Sequence, residues 1–186
     1  MNPVAWLRLA GWLLVGLPAL FHSATILADG PPAQGGLPVS TPLFAATLYD
    51  FDNQATTLAA YQGKPLIVNF WARWCGPCKV EIPELVNLQK RGTGVALLGL
   101  NIENNPASVR DFSVAYDVNY RVLLTREPGL ELMRNLGNQK TVLPFTVVLN
   151  RQGAVVATYL GAMTREKLDK AVALAMGSGS ASGSTQ

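Results

Sequence analysis

The segment at residues 65–72, PLIVNFWA, constrains the fold of this chain more than any other feature. Its β-branched, aliphatic and aromatic residues are interrupted only by an asparagine, a pattern typical of a central strand that is buried on both faces. Sheets that contain such strands need helices on both sides. The motif Trp74-Cys75-Gly76-Pro77-Cys78 follows and opens a predicted helix over residues 77–90. The segment therefore predicts an α/β fold in which two cysteines follow a central strand.

Strand and helix patterns alternate through the rest of the predicted domain. A second buried strand is predicted at residues 95–102, and a hairpin joins residues 145–150 to 154–159. Short strands are predicted at 44–50, 56–58 and 120–124, with a turn at Asp52-Asn53, and helices at 107–116, 129–136 and 164–176. Thr164 is the predicted N-cap of the last helix. This alternation predicts an α/β sandwich around a mixed central sheet.

The N-terminal segment at residues 9–28 contains 20 residues without a charge when His22 is neutral. As a helix it would span about 30 Å, the thickness of the hydrocarbon core of a bilayer. Arg8 precedes it and Asp29 follows it, a charge bias that keeps the N-terminus in the cytoplasm and exports the rest of the chain. Residues 1–28 are therefore interpreted as a retained membrane anchor. A cleaved signal segment without a clean Ala-x-Ala site, and a buried core helix, are the alternatives.

Low-complexity segments bound the predicted domain, which covers residues 43–176. Residues 29–42 hold four prolines and three glycines and are predicted to be a linker. Residues 177–186, GSGSASGSTQ, are predicted to be a disordered tail. From residue 29 onward there are 14 basic residues (15 minus Arg8) and 12 acidic ones, and they are scattered. This small excess argues against nucleic acid as a partner.

Cys75 and Cys78 are the only cysteines of the chain, and their spacing allows a small disulfide. At the start of a helix, Cys75 lies beside free backbone N–H groups and the positive end of the helix dipole, which both stabilise a thiolate. Pro77 suits the first turn because its missing N–H costs nothing there. Cys78, one turn in, is expected to be more buried and to act as the resolving thiol. A structural disulfide or half of a metal site are the alternatives. No metal site is expected, because the one histidine, His22, lies in the N-terminal segment.

Three motifs, in the same order, resemble the thioredoxin superfamily. FWARWCGPCK at residues 70–79 is followed by Pro83, at the spacing of that family's helix-kinking proline. LNIENNP at 100–106 resembles the next thioredoxin strand and its exit. VLPFTVVLNRQG at 142–153 resembles the strand that carries the family's cis-proline, here Pro144. The resemblance covers nearly the whole predicted domain and implies a thioredoxin-like fold, with a mixed central sheet flanked by helices.

The strand before the cysteines departs from ordinary thioredoxin. That family carries a buried aspartate where this chain has Asn69, and the lysine that pairs with the aspartate is replaced by Gly99. Because an amide cannot act as a general base, the proton transfer must move to another group or be lost. Glu81, three residues after Cys78, can share a helix face with it, and a partly buried carboxylate there would have a raised pKa. The alternatives are an Asn69 bonded to backbone and a solvated Glu81 that favours the helix N-terminus.

One branch of the superfamily shares these departures. Asn69, Cys-x-x-Cys-Lys-x-Glu, the N-terminal apolar segment and a longer stretch before Pro144 resemble the TlpA/ResA-type membrane-anchored thiol-disulfide oxidoreductases of bacteria. In that group residues 104–140 would hold an inserted helix and strand. The resemblance implies a reductase of protein disulfides, with apocytochrome c or oxidase copper-site cysteines as substrates, and no cofactor. It also implies a membrane electron donor of the DsbD/CcdA type and a single-pass inner-membrane protein whose domain faces the periplasm.

The expected reaction is thiol–disulfide exchange through a redox disulfide between Cys75 and Cys78. Cys75 attacks the substrate, and Cys78 resolves the mixed disulfide after losing its proton with help from Glu81. The predicted substrate-binding residues are Trp74, Gly76, Pro77, Leu143 and Pro144. An apolar collar around Cys75 is predicted from Trp74, Val142, Leu143, Pro144 and Phe145, with core packing as the alternative for Val142 and Phe145. A cis bond before Pro144 would let the Leu143 backbone pair with a bound peptide.

Three other functions stay open. The first is a disulfide-forming oxidase, in which electrons would flow in the opposite direction, although Gly-Pro between the cysteines resembles the reducing type of thioredoxin. A Cu(I)-binding accessory module for oxidase assembly would use both thiolates without turnover. A peroxidase is the third, and the chain has no Pro-x-x-x-Thr-x-x-Cys pattern to support it.

Overall fold

The computed structural model describes residues 37–177. The predicted membrane anchor at residues 1–28, most of the predicted linker and the predicted tail from residue 178 lie outside the described residues. No helix in the described part of the chain is both long and apolar enough to span a membrane.

Seven strands of the described residues form one mixed sheet in the order β2-β1-β5-β4-β3-β6-β7. In chain order they are β1 Leu48–Tyr49, β2 Ala55–Thr56, β3 Leu66–Trp71, β4 Ala96–Asn101, β5 Arg121–Leu124, β6 Phe145–Leu149 and β7 Val155–Leu160. The central strands β3, β4 and β5 are parallel, and the other neighbouring pairs are antiparallel. The predicted mixed central sheet is therefore confirmed.

Helices cover both faces of this sheet. Those of the described residues are α1 Thr41–Ala45, α2 Gly76–Lys90, α3 Pro106–Ala115, α4 Gly129–Asn135 and α5 Arg165–Ala175. Residues of α2, α3 and α5 share a buried cluster with Ile67 and Val122 of the sheet, and we call this side the α2 face. Residues of α1 and α4 share a second cluster with Val68 and Leu100, and we call this side the α4 face.

Most predicted elements begin and end within one residue of the observed ones, but the first strand is an exception. The strand predicted at residues 44–50 is wrong over its first half, because Thr41–Ala45 form α1 and only Leu48–Tyr49 pair as a strand. Pro42 sets a helical φ in the first turn of α1, and the helix buries Leu43 completely on the α4 face. The strand predicted at 56–58 is shifted to Ala55–Thr56, since a 3₁₀ turn begins at Ala59.

Two predicted local features are present. The turn at Asp52-Asn53 joins β1 to β2, with a φ of 61° at Asn53. Thr164 is the N-cap of α5, and its hydroxyl oxygen accepts the Lys167 N–H at 3.3 Å. These features were predictable because each depends on neighbours a few residues away.

Because β3, β4 and β5 are parallel, their carboxyl ends meet at one edge of the sheet. The register pairs Asn69 with Gly99 and Trp71 with Asn101, so β3 and β4 end side by side. Beyond β3 the chain continues to Cys75, and beyond β4 it continues into a polar loop. This edge of the sheet therefore brings the cysteines next to the polar residues that follow β4.

Candidate active site

Cys75 is the N-cap residue of α2, with extended backbone angles of φ −78° and ψ 108°. Its Sγ accepts the backbone N–H of Cys78 at 3.2 Å, and its carbonyl accepts the N–H of Lys79 at 3.3 Å. Pro77 lies in the first turn, where no N–H is needed. These contacts hold the Cys75 sulfur against the free N–H groups at the start of α2, an environment that stabilises a thiolate.

A disulfide joins Cys75 and Cys78, whose Cα atoms are 5.3 Å apart. Cys75 keeps 5% of its surface exposed, whereas Cys78 is completely buried. The residues around Cys75 are open, since Trp74, Gly76 and Pro77 are all exposed. Cys75 is therefore the less buried residue of the pair and lies among exposed neighbours.

The loop before β6 contains the expected cis-proline, because the Leu143–Pro144 peptide bond is cis. Pro144 is buried, and its carbonyl accepts the Gly161 N–H at 2.9 Å. Leu143 packs against the buried cluster that includes both cysteines. The side chain of Asn138 holds Val142 by donating to its carbonyl at 2.8 Å and accepting its N–H at 3.1 Å. The structure thus places Leu143 against the buried cluster that includes both cysteines, on a loop fixed by hydrogen bonds.

The residues of the predicted apolar collar around Cys75 differ in their exposure. Trp74 is 67% exposed, Val142 is 42% exposed and Leu143 is half-buried. Phe145 is buried on the α4 face, with its ring centroid 5.7 Å from that of Phe70. Core packing is therefore correct for Phe145, the first residue of β6, and wrong for Val142, which lies in the loop before that strand.

The carboxylate of Glu81 is buried beneath α2, with 1% of the residue exposed. Its Oε1 accepts the side-chain N–H of Asn69 at 2.8 Å, and its Oε2 accepts the backbone N–H of Met163 at 2.8 Å. Burial raises the pKa of Glu81 to about 7, although both hydrogen bonds and the charge of Lys167 favour the ionised form. The alternative of a solvated Glu81 is wrong, and Glu81 and Cys78 lie on the buried side of the same helix.

Asn69, in β3, links this carboxylate to the sheet. Its side-chain nitrogen donates to Glu81 and also to the Thr146 hydroxyl oxygen, the latter at 3.1 Å. Thr146 lies directly opposite Asn69 in the antiparallel pairing of β3 with β6. The interpretation of Asn69 as a residue bonded to backbone is therefore wrong, because its amide connects two side chains from different elements.

Gly99 leaves room for two aromatic side chains. A Cβ atom at this position would lie 2.9 Å from Trp71 Nε1 and 3.1 Å from Tyr120 Cε2. A lysine at this position would have to displace both rings. Packing of Trp71 and Tyr120 over β4 therefore explains the glycine where the resemblance leads one to expect a lysine.

Three buried polar atoms on the α2 face have no hydrogen-bond partner among residues 37–177, namely Asn69 Oδ1, Trp71 Nε1 and Tyr120 Oη. Buried polar atoms are hydrogen-bonded in the large majority of cases. Tyr120 is 7% exposed, and burial together with the negative charge of Glu81 raises the pKa of its hydroxyl. The core around Glu81 therefore contains buried polar atoms that form no hydrogen bond within the described residues.

Sequence reasoning missed the contact between Arg73 and Glu103. The carboxylate of Glu103 bonds both the backbone and the guanidinium of Arg73, two residues before Cys75. A signal was available in the polar run Asn101-Ile102-Glu103-Asn104, which follows a predicted central strand. Since parallel strands end at one edge of a sheet, these polar residues could have been placed beside the cysteines.

A cleft of about 720 Å³ lies away from these groups, near β1 and the chain after β5. Its lining includes Tyr49, Thr125, Arg126 and Leu132, and neither cysteine contributes to it. Within the described residues, no group of three or more His, Cys, Asp or Glu side chains is placed to hold a metal ion. This cleft is therefore separate from the cysteine pair, whose neighbours Trp74, Gly76 and Pro77 are exposed.

A cysteine pair at the start of the helix after a central strand, with a cis-proline before the neighbouring antiparallel strand, defines a thiol-disulfide oxidoreductase of thioredoxin-like fold. Glu81 and Asn69 distinguish it from ordinary thioredoxin within that class. The redoxin family matches residues 38–175, and the chain belongs to this family.

Relatives with known names agree with this class. The thiol-disulfide oxidoreductase ResA of Bacillus subtilis is 31% identical over 123 residues, which cover 65% of this chain and 66% of ResA, just under two thirds of its length. A solved thioredoxin-related protein from Neisseria meningitidis serogroup B is 31% identical, with a TM-score of 0.61, and the match covers 70% of this chain and 98% of that one. StoA from Bacillus subtilis is 26% identical, with a TM-score of 0.55 and coverages of 67% and 93%. The resemblance to ResA-type oxidoreductases is confirmed.

Proposed function

We propose that this protein is an extracytoplasmic reductase of protein disulfides that works by dithiol–disulfide exchange at Cys75 and Cys78. The observation that carries the proposal is the disulfide at the start of α2, in which Cys75 keeps 5% of its surface exposed and Cys78 is completely buried. Gly-Pro between the cysteines, which resembles the reducing thioredoxins, supports the reductive direction.

The first step joins the protein to its substrate. The Cys75 thiolate attacks one sulfur of a substrate disulfide, the substrate S–S bond breaks, and the other substrate sulfur leaves as a thiolate. The free N–H groups at the start of α2 stabilise the attacking thiolate. The substrate polypeptide is proposed to contact the residues that surround Cys75, which are Trp74, Gly76, Pro77, Leu143 and Pro144.

The second step releases the substrate. Cys78 attacks the Cys75 sulfur, the mixed disulfide breaks, and the remaining substrate sulfur leaves as a thiolate. Two electrons have then passed to the substrate, and the protein is left with its own disulfide. Cys78 must first lose a proton in a buried place, where the thiolate is disfavoured. Glu81, with a pKa of about 7, is the proposed acceptor of this proton.

The proposed substrates are apocytochrome c or the copper-site cysteines of an oxidase, and the proposed electron donor is a membrane protein of the DsbD/CcdA type. The donor would supply two electrons to break the Cys75–Cys78 disulfide. The uncharged segment at residues 9–28 and the charge bias around it support a single-pass anchor in the inner membrane, with the domain in the periplasm. Protease added outside spheroplasts should therefore digest the domain, and protection of the domain would contradict this location.

Two cysteine variants of the full chain test the reaction. Cys78→Ser should accumulate mixed disulfides with substrate proteins, detected on non-reducing gels and identified by mass spectrometry. Cys75→Ser should trap nothing and should lose reduction of a protein disulfide by a factor on the order of 10³ or more. Full biological activity of Cys78→Ser would contradict exchange and favour the Cu(I)-binding module. A reduction potential near about −120 mV would contradict the reductive direction and favour a disulfide-forming oxidase.

A further inference from the structure

We propose that Arg73 and Glu103 form a charge pair that tunes the stability of the Cys75 thiolate and thereby the reducing power of the site. The proposal rests on the exchange reaction proposed above. Both are positioning residues, since no bond forms or breaks at either side chain.

Glu103 contacts the cysteine loop through both carboxylate oxygens. Its Oε2 accepts the backbone N–H of Arg73 at 2.7 Å, and its Oε1 lies 3.0 Å from Arg73 Nη2. Asn101, the last residue of β4, donates from its side chain to the same Oε2 at 3.2 Å and accepts the N–H of Glu103 at 2.8 Å. The carboxylate is therefore fixed at once to the end of β4 and to the loop that leads to Cys75.

Both charges are partly shielded from water. The side chain of Glu103 is 13% exposed and that of Arg73 is 36% exposed. Arg73 Nε is buried without a hydrogen-bond partner in the described part of the chain, which shows that the guanidinium lies against protein. Charges in such places act on their neighbours more strongly than fully solvated charges do. Cys75 follows Arg73 by two residues on the same loop, and this short separation is the reason to expect its thiolate to respond to them.

The two charges act on the Cys75 thiolate with opposite signs. The guanidinium of Arg73 favours the thiolate and the carboxylate of Glu103 disfavours it, so the balance between the two charges sets their net effect on the thiolate. A more stable thiolate stabilises the reduced protein and makes it a weaker reductant. Removing the charge of Glu103 should therefore make the protein a weaker reductant. Removing the charge of Arg73 should make it a stronger one.

The test uses Glu103→Gln, Arg73→Gln and the double variant in the full chain. The equilibrium constant for exchange with glutathione and the pH titration of the Cys75 thiolate are measured for each. We expect the single variants to shift the equilibrium constant in opposite directions by about two- to fivefold, as for a partly exposed ion pair. The double variant should return towards the wild-type value.

A merely structural role predicts a different result. Either single variant would then loosen the loop and weaken the contact of Cys75 with the start of α2, so both would shift the equilibrium in the same direction. Equal-sign shifts, or no shift, would overturn the proposal. Arg73→Lys keeps the charge and should stay near wild type.

Arg91→Gln is the matched control, because it breaks the ion pair of Arg91 with Asp169 beyond the other end of α2 and should leave the equilibrium unchanged. Failure of the proposed function is a separate outcome. The opposite shifts are expected whatever the natural substrate and direction, whereas the trapping experiment with Cys78→Ser tests the exchange reaction itself.

Discussion

The two faces of the central sheet are built from different kinds of residue. On the α4 face, β3 and β4 contribute only apolar side chains, of which Leu66, Val68, Phe70, Leu98 and Leu100 are completely buried and Ala96 is partly buried. On the α2 face, the same strands contribute Asn69, Trp71, Gly99 and Asn101 beside Ile67 and Leu97. Because side chains alternate along a strand, one stretch of sequence builds both faces.

This difference means that the α4 face mainly stabilises the fold, whereas the α2 face holds the groups that take part in the chemistry. Apolar burial on the α4 face stabilises the fold by about 25 cal/mol per Å² of surface removed from water. On the α2 face, the buried carboxylate of Glu81 and the hydroxyl of Tyr120, which has no partner among the described residues, both cost free energy. We therefore expect substitutions on the α4 face to change stability alone, and substitutions on the α2 face to change reactivity and its pH dependence.

Leu100→Ala should cause the largest loss of stability. Leu100 is completely buried on the α4 face, and its truncation should lower the free energy of unfolding by about 2–5 kcal/mol through lost burial and a residual cavity. Urea denaturation of the oxidised protein measures this loss. The exchange equilibrium with glutathione should keep its wild-type value, because the oxidised and reduced forms lose the same packing.

Val114→Ala is the control for this prediction. Val114 is apolar but 74% exposed on α3, so its truncation should change the free energy of unfolding by less than about 0.5 kcal/mol. If Leu100→Ala moved the exchange equilibrium strongly, the proposed division between the two faces would be broken.

Glu81→Gln should change how stability depends on pH. Because the pKa of Glu81 is raised from 4.5 to about 7, the folded protein binds this proton more tightly than the unfolded chain does. The free energy of unfolding of the wild type should therefore fall as pH rises from about 4.5 to 7, by up to roughly 3 kcal/mol, and stay low above pH 7. Glu81→Gln should remove this fall, which denaturation at about pH 5 and pH 8 would measure.

The same variant should slow release of substrate from the mixed disulfide by about 10²-fold, as expected for a lost proton acceptor, and flatten its pH profile. Glu84→Gln, half-buried on the same helix, is the matched control and should keep both wild-type profiles. Identical profiles for Glu81→Gln and wild type would show that Glu81 takes no part in the proton transfer and does not set the pH dependence of stability.

Tyr120→Phe should have the smallest effect, and in the stabilising direction. It removes a buried hydroxyl that has no partner in residues 37–177, so the free energy of unfolding should rise by about 1 kcal/mol. Tyr116→Phe is the comparison, since Tyr116 is half-buried, with its ring stacked 4.1 Å from that of Phe112. A loss of more than about 1 kcal/mol in Tyr120→Phe would mean that its hydroxyl is hydrogen-bonded in solution.

Most elements of the fold could be predicted because their signals are local. The continuous apolar run of β3 and the cysteine motif that opens α2 are each contained within a few residues. The start of the domain was harder, because the burial of Leu43 depends on its packing in the α4 face, far along the chain. Part of the segment that was predicted as a strand, residues 44–50, therefore belongs to the short helix Thr41–Ala45.

The residues of the candidate active site also divide into those that local sequence predicts and those that distant contacts bring in. Cys75, Cys78 and Glu81 follow one another within seven residues, so their spacing on a helix could be read directly. The hydrogen-bond partners of Glu81 could not be predicted in this way, because Asn69 is 12 residues before it and Met163 is 82 residues after it. The contact between Arg73 and Glu103 joins residues that are 30 positions apart, so it could not be predicted from the sequence for the same reason.

The sequence by itself determined the reactive pair, the helix that begins at it and the class of chemistry that two such cysteines perform. Only the tertiary structure decided which carboxylate is buried, what holds it and which carboxylate pairs with Arg73 on the loop that leads to Cys75. The physical reason is that a pKa depends on burial and on nearby charges and hydrogen-bond donors. Here those neighbours come from β3, from the start of α5 and from the end of β4, which only folding brings together.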